Sequence, residues 1–217
     1  TILRTMNGGG LWVAQASGTD EDLWGLKFVD NQNGWIVGTS GIVLKTSTGG
    51  TTWAIQSSGV GSDLLDVHFL DNQNGWAAGK NGVVLKTTNG GTNWSQLSTG
   101  ITDPLTSIYF VNNQTGWAVG GGGKIIATTN GGNTWQIQVS GVTGCCMNSV
   151  KFIDTQTGWI ASRDGIILKT TNGGSTWQSQ FTSTVEYIDD VQFLDSQNGW
   201  AVGSNGSIFY TNNGGTN

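Results

Sequence analysis

The chain has 217 residues, of which 11% are charged, and its net charge at pH 7 is −5. A chain of this length can bury one sizeable core. Its nine basic residues are scattered singly, which argues against nucleic acid or an anionic membrane as a partner. No apolar run approaches the roughly 18 residues that cross a bilayer as a helix, so direct membrane insertion is not expected.

Glycine supplies 36 residues and proline one, and glutamate, a strong helix former, occurs only at positions 21 and 186. This composition predicts an all-β protein with many tight turns. The sequence shows neither a signal peptide nor an initiator methionine, so a mature chain or an excised segment is expected.

Two short strands are predicted first, at Ile2–Thr5 and Leu11–Ala16. From residue 34 onward a Gly-Trp pair then recurs with spacings of 41, 41, 42 and 41 residues. A period near 41 residues fits four short strands with their turns, which is one blade of a β-propeller. The pairs are Gly34-Trp35, Gly75-Trp76, Gly116-Trp117, Gly158-Trp159 and Gly199-Trp200.

The second unit illustrates the predicted blade. Its first two strands are Asp66–Leu70 and Trp76–Gly79. Asn81-Gly82 is a two-residue hairpin signal, because both central positions of such a turn require φ > 0. The third strand, Val83–Thr87, has consecutive apolar residues that suit a strand covered on both faces. A second turn follows, and Trp94 begins the fourth, outer strand.

The last predicted elements, within residues 190–211, are a first, a second and a third strand. The two N-terminal strands match the third and the fourth strand of a blade. We therefore expect residues 1–217 to form a single propeller of five blades, in which the closing blade is composite. In this arrangement Leu11–Ala16 is the outer strand of the C-terminal blade, which hides sheet edges, while Ile2–Thr5 and Ser207–Thr211 compete for one position. The alternative is a segment of a longer propeller.

A second tryptophan follows each of the first four Gly-Trp pairs by 18 residues and ends a segment that is clearest at residues 87–94. This segment resembles the Asp-box, or BNR, repeat, with Asn or Thr in place of Asp. Its short polar side chain can bond the turn backbone while the tryptophan packs beneath the turn. A ligand site at every box is the alternative, but a residue present in every blade is expected to stabilise the blade. The box tryptophans are Trp12, Trp53, Trp94, Trp135 and Trp177.

The combined repeat is similar to that of the photosystem II assembly and stability factors. The segment from Gly116 to Gly120, followed by Thr129 to Trp135, carries the resemblance, which covers nearly the whole chain. It implies a β-propeller fold and, as one candidate function, assistance in the assembly of a membrane photosystem. Similar repeats also occur in secreted bacterial proteins that have no part in photosynthesis.

Residues suited to catalysis or metal binding are scarce. The single histidine, His68, excludes a site of several histidines, and its place in the repeat fits a polar channel-lining residue better than a catalytic base. Arg4 and Arg163 are too few for the arginine cluster of a sialidase-type site. The acidic residues at 20–22 and 189–190 suit glycoside hydrolysis, a calcium site or simple loop solvation. We expect no catalytic residue, no metal and no cofactor.

Residues that differ between the repeats are the candidates for binding. When the units are aligned, one loop position reads Asp22, Asp63, Pro104, Cys146 and Tyr187. Variable loops over constant strands are typical of a scaffold with one binding face. Trp24 and Tyr187 are the predicted apolar anchors, and Asp22, Asp63 and Arg163 are their polar neighbours. Trp24 is alternatively a core residue.

Cys145 and Cys146 are adjacent, so their Cα atoms lie about 3.8 Å apart across a trans peptide bond. This separation is shorter than the usual span of a disulfide, and a disulfide between them is strained. The sequence allows either this vicinal disulfide or two free thiols, and the pair therefore does not indicate the compartment.

These features favour a non-catalytic binding or scaffolding propeller that is extracellular, on the cell surface or periplasmic. Its expected partner is a protein or a glycan, bound through one loop face, and the negative charge favours a basic or neutral partner. The alternatives are a photosystem II assembly factor, as the resemblance implies, and a glycoside hydrolase that uses loop carboxylates.

Overall fold

The computed structural model describes residues 1–142, 144, 146–181 and 187–216, with only the backbone at Phe181. This part of the chain contains 21 β-strands and four short 3₁₀ turns. None of its helical segments is long and apolar enough to cross a membrane. The predicted all-β class and the antiparallel four-stranded unit are confirmed.

Four sheets are complete, and each follows chain order from its first to its fourth strand. Sheet 1 contains β3 (Leu23–Phe28), β4 (Gly34–Gly38), β5 (Val43–Thr46) and β6 (Ala54–Gln56). Sheet 2 contains β7 (Leu64–Phe69), β8 (Gly75–Gly79), β9 (Val84–Thr87) and β10 (Ser95–Leu97). Sheet 3 contains β11 (Leu105–Phe110), β12 (Gly116–Gly120), β13 (Ile125–Thr128) and β14 (Gln136–Gln138). Sheet 4 contains β15 (Met147–Phe152), β16 (Gly158–Ser162), β17 (Ile166–Thr170) and β18 (Gln178–Phe181).

Two partial sheets lie at the ends of this series. The N-terminal hairpin consists of two strands, β1 (Ile2–Arg4) and β2 (Val13–Gln15), which pair with each other. Sheet 5 contains β19 (Ile188–Phe193), β20 (Gly199–Gly203) and β21 (Ile208–Thr211). The first strands of successive sheets pack side by side in chain order, as the blades of a propeller do. The 3₁₀ turns, at Thr39–Gly41, Lys80–Gly82, Gly121–Gly123 and Ser204–Gly206, join second to third strands.

The predicted composite closing blade is not formed. The strand predicted to complete sheet 5, β2, pairs with β1 in a register that runs from Ile2↔Gln15 to Arg4↔Val13. Within the described residues, β21 pairs only with β20. A hairpin between β1 and β2 closes a short loop, whereas pairing β2 with β21 closes nearly the whole chain, so the local partner costs less loop entropy.

The turns form as the repeat predicts. Asn81 and Gly82 have φ values of 60° and 65°, the left-handed conformation that the Asn-Gly signal requires. In the box turn of sheet 2, the Thr87 hydroxyl accepts a hydrogen bond of 2.9 Å from the Gly91 N–H. The Asn89 side-chain oxygen accepts another, also 2.9 Å, from the backbone N–H of residue 93. The short polar side chains therefore close the box turns.

An aromatic stack between neighbouring sheets repeats four times. The tryptophan of a Gly-Trp pair lies on a second strand and stacks on the phenylalanine that ends the first strand of the next sheet. The ring centroids are 3.4 to 3.7 Å apart in Trp35–Phe69, Trp76–Phe110, Trp117–Phe152 and Trp159–Phe193. These tryptophans and phenylalanines are buried, and they form the centre of each core cluster.

The glycine of the pair gives the same phenylalanine its space. Phe110 faces Gly116 across the β11–β12 register, and a Cβ added to Gly116 would lie 2.5 Å from the Phe110 ring. The box tryptophan of the same sheet, Trp135, meets that ring edge-on at 6.0 Å. Each of the first four Gly-Trp pairs thus leaves room for the phenyl ring of its own sheet and covers the phenyl ring of the next one.

Candidate binding face

The loop face consists of the loops that enter the first strands and the hairpins that join second to third strands. In each of sheets 1 to 5, the first N–H of the hairpin donates a hydrogen bond to the carbonyl of the variable loop position. These bonds measure 2.9 to 3.0 Å and join Thr39 to Asp22, Lys80 to Asp63, Gly121 to Pro104, Arg163 to Cys146 and Ser204 to Tyr187. Five residues with four kinds of side chain are therefore held by one repeated backbone contact.

In four of the five sheets, the hairpin and the loop can approach closely enough for this hydrogen bond because the residue before the hairpin is glycine. At Gly79, for example, an added Cβ would overlap the carbonyl oxygen of Asp63. Sheet 4 has Ser162 at the equivalent position, and its hairpin, residues 163–165, adopts a different turn. The strands thus determine the backbone of the loop face, while its side chains vary.

Asp63 has a structural role on this face. One carboxylate oxygen lies 2.7 Å from the Lys80 ammonium, and the other accepts a hydrogen bond of 3.0 Å from the Ser40 N–H of sheet 1. The hydrogen bond from Lys80, followed by the one from Ser40, holds the pKa of Asp63 below its ordinary value. Asp22, at the same position in sheet 1, is exposed. Of the two predicted aspartates, Asp63 joins neighbouring hairpins and Asp22 faces solvent.

Tyr187 and Arg163 meet between sheets 4 and 5. The Arg163 guanidinium lies 5.9 Å from the centroid of the Tyr187 ring, within the range of a cation–π contact. The Tyr187 N–H donates to the Ser204 hydroxyl at 3.1 Å, which fixes the backbone beneath the ring. With 55% of its surface exposed, Tyr187 presents an aromatic surface beside a positive charge.

Trp24 is exposed, with 59% of its surface accessible, so its interpretation as a core residue is wrong. It lies at the bulge where β3 shifts its register against β4. The residue of sheet 4 equivalent to Trp24 is Asn148. Its side-chain amide donates a hydrogen bond of 2.9 Å to the Ile188 carbonyl of the next sheet. Three sheets separate Trp24 from Tyr187, so the structure does not gather the two predicted anchors into one contact point.

A row of polar side chains follows the first strands, one on each sheet. His68 is only 6% exposed, and its ring lies 4.5 Å from that of Tyr109 on the next sheet. The Lys151 ammonium lies 4.6 Å from the centroid of the Tyr109 ring. Burial, and then the charges of Lys27 and Lys151, lower the pKa of His68 to about 3. So weak a base does not suit general-base catalysis near neutral pH.

Asp66 joins sheet 2 to sheet 3, a role that sequence reasoning missed. Its carboxylate accepts hydrogen bonds from the Ser107 hydroxyl at 3.0 Å and the Ile108 N–H at 2.9 Å. Withdrawal from water raises the pKa of this carboxyl. Asp190, at the same repeat position of sheet 5, accepts a hydrogen bond of 2.5 Å from the Ser149 hydroxyl of the preceding sheet. Their shared place in the repeat, two positions after the start of the first strand, is the only signal that the sequence offered.

The five box tryptophans do not share one environment. Four of them, Trp53, Trp94, Trp135 and Trp177, are partly buried and meet a phenylalanine of their own sheet edge-on. Trp12 is 57% exposed, because the N-terminal hairpin has no first strand to supply a phenylalanine. Its turn is nevertheless formed, since the Thr5 hydroxyl accepts a hydrogen bond of 2.9 Å from the Gly9 N–H.

Cys145, on which the predicted choice between a vicinal disulfide and two thiols depends, lies outside the described residues. Cys146 is half-buried, and its carbonyl takes part in the repeated backbone contact with Arg163.

The described residues contain no group of three or more His, Cys, Asp or Glu side chains that could hold a metal ion. The acidic pair Asp189 and Asp190 bonds Asn148 and Ser149 of the preceding sheet. A cleft of about 430 Å³ between sheets 3 and 4 is lined by uncharged residues, among them Thr128 and Gln138.

Residues 5–104 and 98–184 match the family described as photosynthesis system II assembly factor YCF48. The two matches span sheets 1 to 4, including the repeated glycines and aromatic residues that hold these sheets together. The chain belongs to the YCF48 family. A comparison with curated proteins gave no match.

Solved structures with the same fold include YCF48 bound to D1 peptide. It is 18% identical, with a TM-score of 0.51, and the match covers 90% of this chain and 94% of that one. An ancestral GH74 enzyme is 17% identical with a TM-score of 0.75, covering 100% of this chain and 32% of that one. The WD40 propeller domain of Doa1 is 16% identical with a TM-score of 0.70, covering 88% and 65%. At these identities the likeness shows the β-propeller fold.

Proposed function

We propose that this member of the YCF48 family is a non-catalytic binding propeller that recognises a protein segment at its loop face. The observation that carries the proposal is the repeated hydrogen bond from hairpin N–H to loop carbonyl, which places four kinds of side chain on one repeated backbone frame. Recognition depends on such a frame, because binding residues placed on rigid elements lose little entropy when a partner binds.

The Tyr187–Arg163 pair is the proposed anchor for the partner. Exposed aromatic and arginine side chains supply much of the binding energy at protein interfaces. The cation–π contact and the bond from the Tyr187 N–H to Ser204 order both groups before binding. Trp24 is a second, separate anchor on sheet 1, with the exposed Asp22 as its polar neighbour.

An extended peptide is the form of partner that such separated anchors favour, because it can contact successive hairpins of the series. A solved YCF48 structure contains a D1 peptide, which supports a protein segment as the ligand class. A role in photosystem II assembly is the narrower form of this proposal. Secretion and glycan recognition stay predictions.

The experiment is a binding assay with immobilised chain and three probes: a D1 peptide, a library of tiled peptides and a glycan array. We expect binding by one or more peptides. Tyr187→Ala and Arg163→Ala should each weaken that binding about tenfold, on the order of 1.4 kcal/mol. Trp24→Ala tests the second anchor in the same assay.

Asn93→Ala, on an exposed box turn, is the matched control and should leave the affinity unchanged. Melting temperatures of all variants are measured alongside. Peptide binding that is lost in Asn93→Ala but kept in Tyr187→Ala, or binding of glycans alone, would contradict the proposal. D1 peptide as the tightest ligand would support the assembly role, and tighter binding of unrelated peptides would argue against it.

A further inference from the structure

A basic side chain joins the third strand of one sheet to the box turn of the next. In sheet 2 this side chain is Lys86, which pairs with Trp76 across β8 and β9. The Lys86 ammonium lies 5.5 Å from the centroid of the Trp76 ring, within cation–π range. It also donates a hydrogen bond of 3.0 Å to the carbonyl of Gly131, in the box turn of sheet 3. The ammonium thus has two partners, an aromatic ring and a backbone carbonyl.

The same contact recurs at other junctions of the series. Lys169 of sheet 4 lies 5.4 Å from the Trp159 ring and donates a hydrogen bond of 3.0 Å to the Gly214 carbonyl of sheet 5. Lys45 of sheet 1 lies 5.4 Å from the Trp35 ring, beside the box turn of sheet 2. The position is therefore suited to an ammonium group wherever the sequence supplies one.

The N-terminal hairpin supplies a related example with arginine. Arg4 pairs across β1 and β2 as Lys86 pairs across β9 and β10. Its guanidinium donates a hydrogen bond of 2.8 Å to the Thr51 hydroxyl in the box turn of sheet 1. A basic side chain of the preceding unit thus reaches the box turns of sheets 1, 2, 3 and 5.

The junction between sheets 3 and 4 differs, because its third strand has no basic residue at this position. The equivalent residue of β13 is Ala127, which pairs with Trp117 as Lys86 pairs with Trp76. Alanine is too short to reach Gly173, the equivalent glycine in the box turn of sheet 4. The cleft of about 430 Å³ lies at this junction, and its lining includes Trp117, Ala127 and Gly173. The cleft therefore has the place that a lysine side chain fills at the neighbouring junctions.

The carbonyl that would accept the ammonium is present in the cleft. The Gly173 carbonyl accepts hydrogen bonds of 3.1 Å from the Trp117 indole and 2.9 Å from the Gln138 amide. Neither bond excludes an ammonium. The equivalent carbonyl of sheet 5 accepts bonds from both the Lys169 ammonium and the Gln180 amide. The equivalent carbonyl of sheet 3 accepts bonds from both an indole and an ammonium.

We propose that the cleft between sheets 3 and 4 binds a lysine side chain of a partner protein. The stem of this lysine packs along Trp117 and its ammonium bonds the Gly173 carbonyl, so another chain repeats the contact that Lys86 makes within this one. The rest of the lining is uncharged and includes the hydroxyl groups of Thr134 and Ser175, which can accept further hydrogen bonds. The net charge of −5 favours a partner that carries positive charge.

This site is separate from the loop face. The cleft is lined by residues of box turns and of the turns between first and second strands, and these turns lie at the opposite ends of the strands from the hairpins of the loop face. The inference therefore goes beyond the proposed function, and it does not depend on the Tyr187–Arg163 pair.

The test uses a short peptide with one central lysine, acetylated and amidated at its ends. A matched peptide carries norleucine, which has the same stem without the ammonium. NMR of the isotope-labelled chain follows the indole N–H of Trp117 as each peptide is added. We expect the lysine peptide to shift this signal and to bind at least about tenfold more tightly than the norleucine peptide.

Two substitutions block the cleft. Ala127→Lys places the chain's own lysine there, as in the neighbouring sheets, and should raise the melting temperature and abolish binding of the lysine peptide at Trp117. Ala127→Met fills the cleft without a charge and should abolish that binding as well. Gln96→Lys, at an exposed position of β10, adds the same charge elsewhere and is the matched control. This control should respond as the wild type does, and so should Tyr187→Ala.

Four results would overturn the proposal. The first is a Trp117 signal that the lysine peptide leaves unchanged up to its solubility limit. The second is equally tight binding of the norleucine peptide, which indicates an apolar cleft that does not recognise an ammonium. The third is undiminished binding at Trp117 in Ala127→Lys. The fourth is a lower melting temperature of Ala127→Lys than of the wild type, which shows that the cleft does not accept a lysine. Peptide binding that depends on Tyr187 and leaves the Trp117 signal unchanged concerns the proposed function alone.

Discussion

At the scale of single residues, the ends of the first strands are where small changes matter most. Phe110 is enclosed by Trp76 of the preceding sheet, by Trp135 of its own sheet and by the backbone of Gly116. A ring held on three sides cannot move away from an added atom. The same enclosure recurs in sheets 2, 3 and 4, which explains why glycine precedes each tryptophan in the repeat.

We expect Gly116→Ala to destabilise the protein by about 1–3 kcal/mol, the usual cost of overpacking a core. The new methyl group would lie 2.5 Å from the Phe110 ring. Gly61→Ala is the control, because no atom lies within 4 Å of an added Cβ there. Urea denaturation of both variants measures the difference. Equal stability of the two variants would show that Phe110 has room to move.

His68 makes the stability depend on pH. Its pKa is about 3 in the folded protein and about 6.5 in the unfolded chain, so between these values the unfolded state binds more protons. The free energy of unfolding should therefore fall as the pH falls through this window, by up to about 1.4 kcal/mol per pH unit from this residue. The opposing contribution is Asp66, whose pKa is raised.

The prediction is tested with His68→Gln. Glutamine is chosen because sheet 5 has glutamine, Gln192, at the same position of the repeat. Urea denaturation at about pH 7 and about pH 5 should show a smaller loss of stability for this variant than for the wild type. Identical losses would mean that His68 becomes protonated in the folded state.

At the scale of elements, the tryptophans of the repeat belong to two sets with different roles. The first four Gly-Trp tryptophans join one sheet to the next, whereas the box tryptophans of sheets 1 to 4 pack against the phenylalanine of their own sheet. Trp12 has the sequence of the second set without its environment. We therefore expect the contribution of each tryptophan to the free energy of unfolding to depend on its environment in the fold and not on its place in the motif.

We expect Trp117→Ala to cost about 3–5 kcal/mol, because the side chain is fully buried, and Trp135→Ala to cost less because it is half-buried. Trp12→Ala should cost no more than about 0.5 kcal/mol, as most surface changes do. Differential scanning calorimetry of the three variants gives the order. A large loss in Trp12→Ala would show that the N-terminal hairpin depends on its box tryptophan.

At the scale of the whole molecule, stability is distributed unevenly along the series. Sheets 2, 3 and 4 have a neighbour on both sides, and their core residues are almost completely buried. Within the described residues, sheet 1 packs on one side against the N-terminal hairpin alone, and sheet 5 has an exposed apolar side. Proteins built from repeats are stabilised by contacts between neighbouring repeats, so the burial of each described sheet follows the neighbours that it packs against.

The repeat, the all-β class, the positions of the hairpins and the closure of the box turns could all be predicted from the amino-acid sequence. These features follow from local rules: Asn81-Gly82 needs only its own backbone to turn, and Thr87 reaches a partner four residues away. The shared loop position at Asp22 and Tyr187 also followed from the repeat, because equivalent residues of equivalent units occupy equivalent places.

The side chains that meet across sheets could not be predicted in this way, because they depend on how the sheets pack. Trp35 stacks on Phe69 and Asp66 bonds Ser107, pairs more than thirty residues apart that no local pattern joins. The exposure of Trp24 and Trp12 was decided in the same way, since burial depends on whether a neighbouring sheet supplies a partner. The pairing of β2 was decided by competition, because β1 and β21 present equivalent strands and the nearer one closes the smaller loop.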